Sequence, residues 1–303
     1  MIFFLKNKKE IKNMLKITDV RALPGDGAFL IDDGTTAILY DSGFAFTGYQ
    51  VADNIKKVLG DRPLNYIFLT HSHYDHALGS VYALKYWPEA KVVAGEYAVK
   101  IFQKDSAKRV MRELDQKFAA VCGVAEYEDL IDDLKVDIPV RDGDKIQAGA
   151  MEFTVINLPG HTRCSIGYYL ESEKLLLSCE TLGVFDGEDT VIPSYLIGYQ
   201  VTLDSIEKAT EPEIETLLLP HYGLLGREKT AFYLQNARKS AVETAEAIVA
   251  ILKDGGSHGD AMAYFKKRFF NERVAAIYPI DAMELNTDIM IHLLEKELLG
   301  KEF

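Results

Sequence analysis

Apolar residues along this chain follow two periods that change places repeatedly. Near the N-terminus they run in short blocks rich in strand formers. Leu15–Leu23 and Ala28–Ile31 flank a Pro24-Gly25-Asp26-Gly27 turn, and Thr36–Tyr40 follows the turn Asp32-Asp33-Gly34. Gln50–Leu59 then shows helical spacing (Val51, Ile55, Val58, Leu59), with Gly60 as its stop. Tyr66–Thr70 reads as a buried strand, Val81–Trp87 as a helix ended by Pro88, and Lys91–Ala94 as a short strand. Strands resume at Val136–Val140, Asp144–Ile146, Met151–Leu158 and Lys174–Thr181. A helix at Asp204–Thr210 and an apolar strand from Thr216 complete this part. Such alternation predicts layered α/β architecture rather than an all-α or all-β protein.

Two segments depart from the alternation. From Tyr97 to Leu134, Phe102, Ala107, Met111, Leu114, Phe118 and Cys122 recur every three to five residues with charges between them. This is an amphipathic helical insert, and its acidic end carries Glu126, Glu128, Asp129, Asp132 and Asp133. It serves either as a helix lying on the body or as a lid over a site. From Glu228 onward the pattern is helical throughout. One stripe (Ala231, Leu234, Ala237, Ala241, Ala245, Ile248, Val249, Leu252) ends at Gly255-Gly256; a shorter helix follows Asp260, and a third runs from Pro279 to Gly300. These stripes suit a helical extension packed on the main domain or on a second subunit, which leaves a homodimer open. Lys266-Lys267-Arg268 is most simply a solvated face. The expected division is an N-terminal extension at 1–13, a main domain at 14–227 and a C-terminal helical extension at 228–303.

Composition narrows the partners. The 303 residues carry a formal net charge of −12, which argues against nucleic acid because that partner demands a basic footprint. The three cysteines, Cys122, Cys164 and Cys179, offer no disulfide framework and fit a reducing compartment. Residues 1–15 are apolar before they turn basic, the reverse of a signal peptide, and no run approaches a membrane span of ~20 apolar residues. A cytoplasmic protein acting on a small molecule, without membrane or nucleic-acid partner, is the expectation.

The chemistry is concentrated in Thr70-His71-Ser72-His73-Tyr74-Asp75-His76, directly after the Tyr66–Thr70 strand. His71 and His73 are two residues apart on chain leaving a strand, so both imidazoles face one side; Asp75 and His76 come after the chain has turned. Imidazole nitrogen and carboxylate oxygen are the ligands that borderline divalent cations accept. Two further histidines end strands beside proline and glycine: His161 in Leu158-Pro159-Gly160-His161-Thr162, and His221 in Leu219-Pro220-His221-Tyr222-Gly223. Cys179-Glu180 ends another strand, and alternation allows only one of the pair to face the metals. His258 and His292 have no such context.

The His-x-His-x-Asp-His run, the Gly-His-Thr element at His161 and the strand-ending His221 resemble the metallo-β-lactamase superfamily over roughly Met14 to Arg227. The resemblance implies an αββα four-layer sandwich carrying the insert and the helical extension. His71, His73 and His161 would form a first metal site, and Asp75, His76 and His221 a second. Family members usually carry a bridging aspartate where this chain has Glu180, so alignment favours Glu180 over Cys179. Asp41, in Asp41-Ser42-Gly43, matches a similar strand-end aspartate; it either supports the metal histidines or belongs to a plain turn. Two divalent ions are implied, zinc by default, with iron or manganese compatible with the two carboxylates. Water bridging such a pair is acidified to a pKa of roughly 7, and Asp75 would orient it or move its proton. The expected activity is cleavage of an ester or thioester bond. A phosphodiesterase and a metal-bound sensor with little turnover are the alternatives.

Overall fold

The structure is a computed structural model that describes residues 2–4 and 15–301. In chain order its strands are β1 (Ile2–Phe4), β2 (Lys16–Asp19), β3 (Phe29–Asp32), β4 (Ala37–Tyr40), β5 (Tyr66–Phe68), β6 (Lys91–Gly95) and β7 (Ile138–Val140), which form one sheet in that order. The first four pair antiparallel and β4 to β7 pair parallel, with α1 (Gly48–Leu59), α2 (Tyr74–Ala77) and α3 (Ser80–Tyr86) in the crossovers. Of the N-terminal extension, Ile2–Phe4 thus pairs with β2 at the sheet edge. The remainder of 1–13 lies outside the described residues.

The helical insert follows β6 as α4 (Glu96–Phe102) and α5 (Asp105–Val121). The second sheet takes β8 (Lys145–Ala148), β9 (Met151–Asn157), β10 (Ile166–Leu170), β11 (Leu175–Leu177), β14 (Thr216–Leu219) and β15 (Gly223–Leu225), while β12 (Val184–Phe185) and β13 (Val191–Ile192) make a small ribbon. Helix α6 (Tyr199–Ala209) precedes β14. Helices α7 (Arg227–Lys253), α8 (His258–Phe269), α9 (Glu272–Ile277) and α10 (Ile280–Leu299) close the chain.

Three apolar cores define four layers. Between the sheets, Phe29, Ile38, Phe68 and Val93 of the first meet Phe153, Tyr168, Leu175 and Leu218 of the second. Phe68 stacks on Tyr168 with ring centroids 4.6 Å apart and meets Phe153 edge-on at 5.3 Å, contacts worth about 1 kcal/mol each beyond burial. Strand residues of opposite parity, such as Leu39 and Ile67, pack under α1 and α3. On the other side Leu217 and Leu219 share a cluster with α6, α7, α8 and α10. The architecture is the αββα sandwich that the resemblance implies, with α7 to α10 packed on its outer face.

Four local differences from the sequence reading have physical causes. The Lys174–Thr181 strand stops at Leu177, and Glu180–Leu182 coils into a 3₁₀ turn. Ile166–Leu170 is a strand that the sequence reading does not assign: all five residues are buried, so no alternation marks it. Helix α2 starts at Tyr74, inside the histidine run, before the expected helix start. Helix α9 is too short to display periodicity.

Candidate metal centre

One edge of the sandwich gathers the candidate ligands. β5 ends at Phe68 and the extended segment behind it carries His71 and His73; α2 then turns Asp75 and His76 toward the same point. From the second sheet, the loop between β9 and β10 brings His161, the turn after β11 brings Glu180, and the end of β14 brings His221. Three sets form, in each of which the ligand atoms lie within 4.8 Å of one another: His71, His73 and His161; Asp75, His76 and His221; and His71, His76 and Glu180. Glu180 therefore stands between the two triads. All seven residues come together. His73, Asp75 and His221 are partly exposed, whereas His71, His76, His161 and Glu180 are buried.

Hydrogen bonds on the far side of four of the five rings decide which nitrogen faces inward. His76 Nδ1 is 2.9 Å from Asp41 Oδ2, and His221 Nδ1 donates to the carbonyl of Gly25 at 3.0 Å. Ser194 Oγ lies 2.9 Å from His161 Nδ1, and Thr70 Oγ1 lies 2.9 Å from His71 Nδ1. Asp41 also accepts from Thr70 N at 2.8 Å, which locks the entry to the histidine run. It is thus a supporting acceptor rather than a plain turn residue, despite a backbone φ of 50°. Ties of this kind fix imidazole tautomers and orient the opposite nitrogen as a ligand.

The inward atoms fit a cation. His71 Nε2 and both Glu180 carboxylate oxygens are buried without any hydrogen-bond partner. Glu180 Oε1 sits 2.9 Å from His76 Nε2 and 3.0 Å from His221 Nε2, close but misaligned for hydrogen bonding. His161 Nε2 and His73 Nδ1 approach to 3.0 Å. Among the described residues, the ion-pair partners of Asp41, Asp75 and Glu180 are all histidines, never lysine or arginine. Buried charge left this way is costly unless something positive joins it. Oxygen and nitrogen donors in these numbers suit borderline divalent ions.

Local electrostatics prepares the donors. Burial, then the neighbouring imidazoles, hold His71 well below its ordinary range, and burial likewise brings His161 to about 3. Both are neutral at pH 7 with a lone pair to give. Burial would raise Asp75, but His76, His221 and His73 outweigh it and hold the carboxyl at about 2. Burial also opposes ionisation of Glu180, yet His76 and His71 keep it well below the usual carboxylate range. Cys179, the other candidate at this position, is fully buried among apolar side chains, and burial pushes its thiol up to about 12. It faces away from the centre, as a residue preceding a 3₁₀ turn can.

A cavity of about 400 Å³ opens onto these residues, with His73, Asp75, His161, Glu180 and His221 on its floor. Leu114 and Phe118 of α5 form one wall, and Ile280 and Ile289 of α10 form another. The insert is therefore a side of the cavity. Tyr278, between α9 and α10, also lines it, its hydroxyl accepting from Asn286 Nδ2 at 2.7 Å. Neither Tyr278 nor the α10 wall carries any signal in the sequence, since tyrosine and isoleucine on a helix read as core. The Pro24–Gly27 turn is more than a hairpin turn: Asp26 ties it to Ala22 N, Leu23 N and Thr47 Oγ1. A Cβ on Gly27 would stand 2.9 Å from His76 Nδ1, so glycine lets this loop touch the ligand ring.

The sequence model of the metallo-beta-lactamase superfamily matches residues 28–221, and the chain belongs to that superfamily. Among curated proteins it is similar to glyoxylase B2 of Dictyostelium discoideum, 30% identical over 43% of this chain and 41% of that protein. Hydroxyacylglutathione hydrolase of Legionella pneumophila (strain Paris) is 28% identical over 41% of this chain and 38% of its own length. Acyl-coenzyme A thioesterase MBLAC2 of Gallus gallus is 25% identical over 56% of this chain and 60% of its own. The chain spans about two fifths of the length of the first two relatives and 60% of the third. A metallo-beta-lactamase family protein from Thermus thermophilus shares the fold at a TM-score of 0.60 with 16% identity, over 99% of this chain and 94% of that one.

Proposed function

We propose that this chain is a metal-dependent hydrolase that cleaves an ester or thioester bond of a small molecule. The observation that carries the reading is the convergence of five imidazoles with Asp75 and Glu180, four of the imidazoles reaching an open cavity, without a lysine or arginine among the described residues to balance the carboxylates. His71, His73 and His161 would hold one divalent ion, Asp75, His76 and His221 a second, and Glu180 would reach both. Zinc is the default ion for so many imidazoles, with iron and manganese compatible. Such a pair supplies Lewis acidity and a water acidified to near neutrality.

The protein's own groups do the rest. Asp75, held ionised and open to the cavity, accepts a proton from the attacking water or orients it. Asp41, Thr70, Ser194 and the Gly25 carbonyl keep the imidazoles from rotating. Tyr278, whose hydroxyl is hydrogen-bonded to Asn286 and Ser194, holds the cavity side next to the His161 support. Acyl chemistry is favoured over phosphodiester chemistry because Lys117, the one lysine or arginine lining the cavity among the described residues, is already paired with Asp281 at 2.9 Å. The names of the Legionella and Gallus relatives also refer to acyl compounds.

The test is a panel of small thioesters, esters and phosphodiesters with the full chain, alongside elemental analysis. Expected are about two metal ions per chain and thioester cleavage lost in His71→Ala. Faster turnover of phosphodiesters would overturn the bond assignment; cleavage that survives chelation would overturn metal dependence.

A further inference from the structure

We infer that the cavity above the metal centre is a binding site for an uncharged aliphatic acyl chain, so that the substrate is a medium-chain acyl thioester or ester. The assignment rests on the hydrolase reading for the bond that reacts, and on the cavity for the chain attached to it.

Three observations carry it. First, the composition of the walls differs sharply from that of the floor. Above the metal residues the cavity is lined by Leu114, Phe118, Val121, Ile280, Leu285 and Ile289, contributed by α5 and α10. At about 400 Å³ the space lies within the range of small-molecule sites, too large for an acetyl group alone. Second, Val121 and Leu285 are among the few large apolar side chains left exposed, at 73% and 51%, and both stand on this cavity. Apolar surface left open at a catalytic cleft marks a contact made by a ligand. Third, no charge is free on the walls among the described residues. Lys117 and Asp281 neutralise one another, so an acyl group ending in a carboxylate or ammonium would meet no partner there.

The wall facing the floor is also rigid. Phe44 packs on Phe118 with ring centroids 5.0 Å apart and on Tyr74 at 5.6 Å, joining α5 to the histidine run. A carbonyl placed over His73, Asp75 and Tyr278 would therefore send its alkyl chain between α5 and α10, with the polar leaving group toward solvent.

Two measurements on the full chain test this. In the first, kcat/KM is compared for acetyl, butanoyl, hexanoyl, octanoyl and decanoyl thioesters. Burial of each methylene predicts a rise of about fourfold per carbon until the cavity is filled. In Leu285→Asp, whose side chain is exposed enough to be replaced without unfolding, the octanoyl-to-acetyl ratio falls at least about tenfold. Val110→Asp, equally exposed on α5 but off the cavity, leaves the ratio unchanged. A flat dependence on chain length overturns the acyl site while leaving the hydrolase reading intact. In the second, calorimetry compares octanoate with acetate, which share a carboxylate and differ only in the chain. Octanoate binding at least about tenfold tighter with a negative heat-capacity change supports the site even if no thioester is cleaved, an outcome that removes only the hydrolase reading. Equal affinities overturn the acyl site.

Discussion

At the base of the cavity five imidazoles and two carboxylates converge from loops and turns that follow strands of both sheets and from the short helix α2, and four of the imidazoles are tethered by hydrogen bonds on their outer sides. The walls come from α5 and α10, an insert and an appended helix, and they present aliphatic and aromatic groups with one ion pair across them. A strand end is held on both flanks by its ladder, so it can place a ligand atom to within a few tenths of an ångström. A helix laid against the outside can change its residues without disturbing the ladder. On the proposed reading, chemistry and selectivity fall to parts of the molecule with different tolerance for change.

Substitutions sharpen that division. The largest effect is expected at the floor in Glu180→Gln, which keeps the shape and removes the charge between the triads. Supporting groups around metal ligands are worth roughly 10- to 100-fold, so a group that reaches both sites should cost more than about 100-fold in metal affinity. Equilibrium dialysis followed by elemental analysis reads it, and wild-type uptake by the variant would break the comparison.

Next comes a carboxyl buried behind the α5 wall, away from the cavity lining. Asp115 of α5 is fully buried, accepts from Ala45 N at 2.9 Å, and is pushed up to about 6 chiefly by burial. Its folded-state pKa lies above the unfolded value of 3.8, so the folded protein binds this proton more tightly. The contribution is fully present below about pH 4 and is lost as pH rises to about 6. The two-unit shift corresponds to roughly 3 kcal/mol as an upper value. Denaturant melts of wild type and Asp115→Asn between about pH 4 and 7 should diverge in that window, the wild type losing ground as pH rises. Parallel curves would remove the buried charge from the account of the wall.

A smaller effect is expected for Asp41→Asn, which retains an acceptor but weakens its hold on His76. Metal affinity should fall about 10- to 100-fold with little change in chain-length preference. The smallest is Lys117→Ala, which breaks an ion pair exposed on both sides. Its effect on thermal stability should stay below about 1 kcal/mol and shrink further in high salt.

The Pro-Gly-Asp-Gly turn shows how far local reading reaches. Glycine spacing there predicts a turn and the structure contains one. That Gly25 offers its carbonyl to His221, and that Gly27 must lack a Cβ because His76 stands beside it, depends on chain far away in sequence. Gly79 behaves likewise: a Cβ would lie 1.8 Å from the carbonyl oxygen of Ser42.

The clustering of histidines was legible in the amino-acid sequence because imidazoles spaced two residues apart after a strand, or placed beside proline and glycine, carry their geometry with them. Layering was legible too, since a period of two and a period of about 3.6 are local properties. Convergence was not: Glu180 reaches the histidines by way of a 3₁₀ turn rather than strand alternation, while Cys179 turns into the apolar cluster. Nor was the cavity, because Leu114, Ile280 and Leu285 look like any helix residues until two helices are set facing each other across an opening. Tertiary packing alone decides whether an apolar side chain fills a core or lines a site, since burial depends on what stands opposite.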